Sequence, residues 1–250
     1  MLLLRRFVYL LPSHRKEKTM RGFIFYKGRS PIDRAPIVGI ATLESKNGKT
    51  GNMVQTWILR EDMNPLAARA SGADRAYCGD CPMHAECYIE WGKAPSQVWK
   101  TYRRGGYMDL RRKPALMKRL TMGRMVRLGA AGDPAMIPLQ YWLRLLETAE
   151  GWTGYTHQWR EPWAQPMREL CMSSVESAAD ADIARAMGWR YFRVKTKAQP
   201  IAKHEIECPA DKGRQCIACG ACDGALKPTA ASVVIVVHGP KAKAFERAHA

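Results

Sequence analysis

Short runs of apolar and β-branched residues dominate the first quarter of the chain. They lie at 22–28 (GFIFYKG), 36–43 (PIVGIATL) and 52–60 (NMVQTWILR), and Gly, Pro, Asn and Lys residues separate them. Such runs between turn residues are typical of β-strands. The turn at 45–52 contains Gly-Lys-Thr, but Leu43 stands where a phosphate-binding loop requires glycine, so a hairpin turn is predicted there.

The rest of the chain alternates between short apolar strands and segments with helical spacing of apolar residues. The predicted strands lie at 125–134, 153–159, 170–177, 190–195 and 231–239. The predicted helices lie at 108–125, which begins or breaks at Pro114, at 135–151, which ends at Gly151, and at 178–188. This alternation predicts an α/β fold whose parallel sheet is open or rolled into a partial (β/α) barrel.

These patterns divide the chain into three parts. Residues 1–20 are predicted to be a loose extension, because Arg5 and Arg6 split its apolar residues into runs too short for a signal peptide or a membrane span. Residues 21–75 form a β-rich part, and residues 76–250 an α/β domain with two cysteine-rich loops. No other stretch approaches a membrane span, so no membrane partner is expected.

The loop at 208–224 carries four cysteines with the spacing C-x7-C-x2-C-x2-C. Two-residue gaps let thiolates converge from one tight turn, and the run CIACGACDG reads like half of a bacterial ferredoxin motif. A four-iron (4Fe-4S) cluster is predicted, and zinc is the alternative. The predicted ligands are Cys208, Cys216, Cys219 and Cys222.

A second group of cysteines lies in the loop at 78–88. Cys78, Cys81 and Cys87 follow the spacing C-x2-C-x5-C, and they are predicted to bind a separate metal centre. The fourth ligand is open between Cys171, His84 and an exchangeable ligand. Cysteines bunched at two-residue gaps rarely meet disulfide geometry, so this usage indicates a reducing cytoplasm.

Charge adds a candidate partner. The formal net charge is +17, and residues 93–127 hold eleven Lys or Arg with the single acid Asp109. Trp99, Tyr102 and Tyr107 are interleaved with these cations, a pattern that suits nucleic acid, although a solvated basic helix beside core aromatics is the alternative. The predicted nucleic-acid contacts are Lys100, Arg103, Arg104, Arg111, Arg112 and Lys113.

Polar side chains follow four of the predicted strands. In parallel sheets, ligands gather at the carboxyl ends of the strands. The candidates for catalysis there are Asp133, His157, Glu176 and His238, and each has the alternative role of a turn or cap residue.

The chain resembles two groups of proteins. The stretch 23–62, the motif CGDCP at 78–82 and RLGAAGDP at 127–134 resemble uncharacterised proteins of bacteriophages and prophages, a resemblance that implies a genomic setting and no activity. More loosely, residues 75–240 resemble a shortened radical S-adenosylmethionine barrel, because a three-cysteine loop, a Gly-rich strand end and βα units follow one another.

The second resemblance implies a cofactor site. In that family three cysteines hold a four-iron cluster whose fourth iron binds S-adenosylmethionine, and a strand end similar to Gly132-Asp133-Pro134 helps to bind its amino group. The usual spacing there is C-x3-C-x2-C, which differs from the spacing here. The cysteines at 208–222 resemble an auxiliary cluster.

Two functions therefore remain open at this level. One is an iron–sulfur enzyme, radical S-adenosylmethionine-like, that acts on nucleic acid or a nucleotide. The other is a non-enzymatic nucleic-acid-binding protein with structural zinc or iron–sulfur sites.

Overall fold

A computed structural model of the protein describes residues 20–225, 230–239 and 241–249. The predicted loose extension, residues 1–20, lies outside this part except for Met20. Among the helices in the described ranges, none has the length and apolar character needed to cross a membrane.

One ten-stranded sheet runs through the described part of the chain. From one edge to the other its strands are ordered β4-β1-β2-β3-β5-β6-β7-β8-β10-β9. In chain order the strands are β1 (Gly22–Arg29), β2 (Pro36–Thr42), β3 (Val54–Arg60), β4 (Met108–Asp109), β5 (Met125–Ala131), β6 (Gly151–Thr156), β7 (Met172–Val175), β8 (Tyr191–Lys195), β9 (Glu205–Glu207) and β10 (Ser232–Val236).

The sheet joins an antiparallel part to a parallel part. Strands β1, β2 and β3 form an antiparallel meander, and the turn at 45–52 links two of them as a hairpin, as predicted. From β3 onward the neighbours β5, β6, β7, β8, β10 and β9 are all parallel. The predicted α/β class with a parallel sheet is therefore confirmed. The pairing of β3 with β5 places the parts predicted at 21–75 and 76–250 in one sheet.

Short helices connect the strands. Asn64 caps the first of them by accepting a hydrogen bond from the Leu66 N–H at 2.9 Å, and Ser177 caps the helix Ala178–Ala186 in the same way. The α-helices are α1 (Pro65–Ser71), α2 (Arg75–Cys78), α3 (Ala94–Arg103), α4 (Pro114–Thr121), α5 (Leu139–Leu146), α6 (Ala178–Ala186), α7 (Cys216–Cys219) and α8 (Ala242–Ala248). The 3₁₀ segments are Pro134–Met136, Pro162–Glu169 and Pro209–Lys212.

The helix predicted at 108–125 is shorter than expected. It begins at Pro114, where a missing N–H breaks no helical hydrogen bond. Residues Met108–Asp109 instead form β4, which pairs with Phe23 and Ile24 at the edge of the sheet. Of the two possibilities at Pro114, a helix that begins there is confirmed. The residues before it are not helical, because pairing with a distant strand outweighs their local helical pattern.

The helix predicted at 135–151 also ends early. Its α-helical part stops at Leu146, and Gly151 is the first residue of β6 rather than a helix terminus. Gly151 lies opposite Met125 in the parallel ladder. A glycine that follows a helical pattern predicts the end of a helix when only neighbouring residues are considered. The pairing of Gly151 with Met125 shows that a strand begins there instead.

The main core lies between the sheet and its helices. In it, the Trp142 ring of α5 packs on Phe25 of β1, with the ring centroids 5.1 Å apart. Fully burying side chains of this size contributes roughly 1.5–3 kcal/mol each. Cys171, one of the candidates for the fourth ligand of the first loop, is fully buried in the same core.

Candidate metal centres

The first cysteine loop begins over the carboxyl ends of β5 and β6. The Asp133 N–H donates to the Tyr77 carbonyl at 2.7 Å, and the Gln158 side chain donates to the Cys78 carbonyl at 3.2 Å. Gly79 has a positive φ of 63°, and a Cβ there would lie 2.4 Å from the Gln158 side chain. The loop therefore needs glycine at this position, because Gln158 fills the space that a side chain would occupy.

The three thiols of this loop influence one another electrostatically. Burial raises the pKa of Cys78 well above its ordinary value, and negative charge on Asp74, Cys81 and Cys87 raises it further. Burial also raises the pKa of Cys87, with a smaller upward contribution from Cys81. Binding of a cation removes this penalty, because a metal-bound thiolate no longer needs solvent to stabilise its charge.

His157 and Glu176 lie beside this loop at the ends of β6 and β7. The His157 Nε2 and the Glu176 Oε1 are 3.4 Å apart, and neither buried atom has a hydrogen-bond partner in the described part of the chain. Burial lowers the pKa of His157, but interactions with the Cys81 thiol and the Glu176 carboxylate raise it well above its ordinary value. The structure thus brings two of the predicted strand-end residues together at the ends of neighbouring strands.

Asp133 uses both carboxylate oxygens within the protein. Its Oδ1 accepts hydrogen bonds from the Ala135 N–H at 2.9 Å and the Thr156 hydroxyl at 2.7 Å. Its Oδ2 accepts from the His157 N–H at 2.8 Å. Burial raises the pKa of this carboxyl group. These contacts tie the ends of β5 and β6 together through Asp133, and its expected contact with a cofactor amino group stays a prediction.

The strand end that carries Gly132 bulges. The register between β3 and β5 shifts between Gln55 and Trp57, and such bulges are over-represented next to active sites. Gly132 has a φ of 80°, and a Cβ there would lie 2.5 Å from the Ile58 carbonyl oxygen. The residue is required by the turn itself, and its predicted part in cofactor binding stays a prediction.

Two other predicted candidates lie elsewhere. His238 follows β10, is exposed, and its Nδ1 lies 3.1 Å from the Val236 carbonyl oxygen. Strand β8 separates β10 from β7, so His238 does not join His157 and Glu176. His84 is engaged by Asp74, with 3.1 Å between its Nε2 and the Asp74 Oδ2.

The second cysteine loop lies against the middle of the sheet. The Cys222 carbonyl accepts a hydrogen bond from the Gly154 N–H of β6 at 3.0 Å, and the Cys208 N–H donates to the Val234 carbonyl at 2.8 Å. Burial raises the pKa of the Cys222 thiol to about 12. One pocket is lined by Thr153 and Tyr155 of β6 and by all four predicted ligands of this loop, Cys208, Cys216, Cys219 and Cys222.

Arg190 anchors the second loop, a role that no local sequence signal indicates. Its guanidinium is buried and donates four hydrogen bonds. One Nη1 bond goes to the Asp223 carboxylate at 2.8 Å, and the other goes to the Gly224 carbonyl at 2.7 Å. The Nη2 bonds go to the carbonyls of Ala221 and Ala231, each at 2.8 Å. The segment that follows Cys222 is therefore held by one side chain from the start of β8.

The hairpin turn with the Gly-Lys-Thr motif forms backbone hydrogen bonds to the second cysteine loop. The Cys216 N–H donates to the Lys49 carbonyl at 3.1 Å, and the Ile217 N–H donates to the Thr50 carbonyl at 3.0 Å. These bonds satisfy N–H groups in the first turn of α7, which have no partner inside the helix. The motif that resembles a phosphate loop thus holds a protein segment.

Arg127 of β5 lies between the two loops. Its Nη2 donates to the Tyr88 hydroxyl at 3.0 Å, next to Cys87 of the first loop. Burial raises the pKa of Cys216 in the second loop, and the positive charge of Arg127 opposes that rise. Arg127 therefore contacts one loop and acts electrostatically on the other.

The donor chemistry of both loops fits a metal that prefers sulfur. All eight cysteines are free thiols. Within the described residues, no three His, Cys, Asp or Glu side chains are close enough together to hold one metal ion. A single zinc draws its thiolates to about 2.3 Å, whereas the ligands of a four-iron cluster bind separate irons. The four-iron cluster and zinc therefore both stay predictions for these loops.

The predicted nucleic-acid surface consists of exposed cations over partly buried rings. Trp99, Tyr102 and Tyr107 pack against the core, so they are not presented for stacking on bases as the sequence suggested. Arg103 lies over the Trp99 ring, 5.5 Å from its centroid, and Arg111 pairs with Asp109 at 2.7 Å. The exposed cations are Lys100, Arg103, Arg104, Arg111, Arg112 and Lys113.

Comparison of the chain with protein-family models, with curated proteins and with solved structures finds no match in any of the three.

Proposed function

We propose that the protein is an iron–sulfur enzyme of the radical S-adenosylmethionine-like type. The observation that carries this proposal is the order of its parts. Strands β3, β5, β6, β7, β8 and β10 are parallel neighbours in chain order. The three-cysteine loop follows β3, the first of these strands. The bulged, Gly-rich strand end belongs to β5, the second of them. The resemblance seen in the sequence implies the same succession of parts.

The ligand set of the first loop supports an open coordination position. Cys78, Cys81 and Cys87 supply three thiols, while Cys171 is buried in the core and His84 pairs with Asp74. A cluster bound by three thiolates leaves one iron for a cofactor. A cluster held by this loop would supply one electron to S-adenosylmethionine. Cleavage of S-adenosylmethionine yields methionine and, after hydrogen is taken from a substrate, 5′-deoxyadenosine.

The residues of this chain would hold and orient the reactants. Gln158 and Asp133 fix the first loop over the ends of β5 and β6. The four cysteines of the second loop would hold a second cluster against Thr153 and Tyr155 of β6. Nucleic acid or a nucleotide is the proposed substrate class, because the net charge is +17 and cations are exposed beside α3 and β4.

A second candidate function is a nucleic-acid-binding protein whose two loops hold structural zinc or iron–sulfur sites. The observation in its favour is that the second loop fastens the hairpin turn to the sheet through Lys49 and Thr50. A metal in such a loop would stabilise the fold without any reaction.

Metal content and a cleavage assay separate these functions. Protein purified without oxygen should be brown, absorb broadly near 400 nm and contain iron at both centres. After reduction it should convert S-adenosylmethionine to 5′-deoxyadenosine. The triple variant Cys78→Ala/Cys81→Ala/Cys87→Ala should lose that activity and part of the iron, while Cys219→Ser should lose the other part. Colourless protein with stoichiometric zinc, or iron without cleavage, would favour the second function.

A further inference from the structure

Three acidic side chains lie beside the segment that joins α3 to α4, and each is already paired with a cation. The ion pairs are Lys27–Glu61 at 3.0 Å, Arg60–Asp62 at 2.7 Å and Arg111–Asp109 at 2.7 Å. Glu61 is also tied to α3, because it accepts a hydrogen bond from the Tyr102 hydroxyl at 2.7 Å. The charge of these acids is therefore balanced within the protein, and they do not pair with the other cations of this region.

Four exposed cations of this region have no acidic partner among the described residues. They are Lys100 and Arg104 at the end of α3, and Arg112 and Lys113 just before α4. These four side chains form the basic surface. The Lys27 ammonium of β1 donates to the Tyr102 hydroxyl of α3 at 2.7 Å, which places the end of α3 at the edge of the sheet that carries β4. Unpaired cations at one edge attract a polyanion, because its phosphates release bound counterions on contact.

The aromatic rings of the region are engaged by the protein itself. The Trp99 Nε1 donates to the Arg60 carbonyl at 2.9 Å, and the Tyr102 hydroxyl belongs to the hydrogen-bonded group just described. The Tyr107 ring packs against the start of β1, where a Cβ at Gly22 would lie 3.0 Å from it. Proteins that bind single strands without sequence preference present rings on which unpaired bases stack. These three rings pack against the main core instead.

We propose that the basic surface binds the phosphate backbone of double-helical nucleic acid and selects it over single strands. A duplex carries one negative charge per about 1.7 Å of its axis, and its bases are already stacked on one another, so cations alone can bind it. A single strand has a lower charge density and gains more from stacking on rings, which are not presented here. The inference rests on the proposed function for nucleic acid as the substrate class, and it narrows that class to duplexes.

Fluorescence anisotropy of the full chain with labelled DNA and RNA duplexes, and with their separate strands, tests the proposal. The tighter of the two duplexes should bind at least about tenfold more tightly than its own strands. Its slope of log affinity against log salt should be about −3.6, since four phosphate contacts contribute about 0.9 each. The variant Lys100→Ala/Arg104→Ala/Arg112→Ala/Lys113→Ala should lose most of this slope. Its urea unfolding should match wild type, because the four side chains are exposed and have no acidic partner.

A control variant removes four exposed cations near the other end of the sheet, Lys197→Ala/Lys203→Ala/Lys243→Ala/Arg247→Ala. It should keep the preference for the duplex and most of the salt slope. Equal losses in the two variants, or single strands that bind as tightly as their duplexes, would overturn the proposal. Dextran sulfate that competes as well per charge as unlabelled duplex would also overturn it, since the surface would then bind any polyanion.

The outcome is separable from that of the proposed function. Protein that cleaves S-adenosylmethionine but shows no preference for duplexes would refute this inference alone. Colourless, zinc-containing protein that still selects duplexes would refute the enzyme and leave the basic surface with the partner assigned to it here.

Discussion

At the scale of single residues, a few side chains determine where the two cysteine loops lie. Arg190 reaches four acceptors in and beside the second loop. Gly79 leaves the space that Gln158 needs to hold the first loop. Neither Arg190 nor Gly79 is a predicted metal ligand, and each contacts a single loop. Substitution of either residue should therefore change the metal content of one proposed centre and leave the other unchanged.

Replacing Arg190 with alanine should release the second loop. The change removes four hydrogen bonds and a buried partner of Asp223, and breaking a buried ion pair destabilises a protein by about 3–5 kcal/mol. Metal bound by Cys208–Cys222 should be lost while the first centre keeps its metal. Arg168→Ala is the matched control, because that exposed side chain makes one hydrogen bond, to the Met187 carbonyl. Denaturant unfolding and metal analysis measure both effects, and equal losses in the two variants would contradict the role of Arg190.

Replacing Gly79 with alanine should disturb the first loop selectively. The new Cβ would lie 2.4 Å from the Gln158 side chain, in a backbone conformation that already disfavours L-residues. Gly72→Ala provides the control, since Gly72 also has a positive φ, of 76°, but a Cβ there meets nothing within 4 Å. Backbone strain of roughly 1–2 kcal/mol is common to both variants. Only Gly79→Ala should lower the metal content of the first centre, as measured by iron analysis of purified protein.

At the scale of elements, β9 is held to β8 by a buried ion pair. The side chains of Arg193 and Glu205 are 3% and 1% exposed, and the shortest distance between them is 2.7 Å. Glu205 also accepts hydrogen bonds from the Tyr191 hydroxyl and the Ala202 N–H. This short edge strand, which the sequence pattern did not predict, pairs with β10 just before Cys208, and the ion pair adds a side-chain link to β8.

The ion pair predicts a pH dependence of stability. Burial raises the pKa of Glu205, but the Arg193 guanidinium and the Ala202 N–H more than offset this, so the pKa is lowered overall. A lowered pKa means that the contribution is complete above the ordinary carboxyl pKa and disappears as the pH falls through the folded-state value. Glu205→Gln should therefore be less stable than wild type by about 3–5 kcal/mol at pH 7. The difference should shrink steadily on acidification below about pH 4.3.

Urea unfolding of both proteins between neutral pH and about pH 3 measures this difference. Glu207→Gln, on the same strand, is the control, because Glu207 is an exposed acid that lies 3.9 Å from Lys212. It should change the unfolding free energy by less than about 1 kcal/mol. A stability gap for Glu205→Gln that stays constant with pH would contradict this account of the pair.

At the scale of the whole molecule, charge and topology act together. The net charge of +17 belongs to the entire chain, but the exposed cations of α3 and the turn after β4 lie at the antiparallel end of the sheet. A surface of this kind attracts polyanions through counterion release. Since the aromatic rings there are partly buried, phosphate contacts rather than base stacking should supply the affinity.

Reversal of Arg104, Arg112 and Lys113 to glutamate should therefore weaken nucleic-acid binding at least tenfold. The slope of log affinity against log salt should also fall by about 2–3, since each phosphate contact contributes about 0.9. A control variant with Lys203, Lys243 and Arg247 changed to glutamate has the same net charge and alters exposed positions near the C-terminal strands and helix. Fluorescence anisotropy at several salt concentrations measures both. Equal weakening in the two variants would assign the effect to net charge and not to this surface.

The sequence alone determined the features that depend on neighbouring residues. The strands at 22–28, 36–43 and 52–60 follow from local runs of apolar residues, since alternation and turn chemistry act over a few positions. The grouping of the cysteines in two loops follows from their spacing, and the parallel sheet follows from strand–helix alternation. The start of a helix at Pro114 likewise follows from the chemistry of one residue.

Only the tertiary structure decided which distant residues these segments contact. Gly151 begins a strand because Met125 lies opposite it, and the His157 N–H reaches Asp133 because the ends of β5 and β6 lie side by side. Arg190 reaches the second loop across more than thirty positions of chain. Such contacts depend on long-range packing, which the folded sheet brings about and which no local pattern of residues encodes. For that reason the two cysteine loops could be located from the sequence, while the side chains that hold them in place could not.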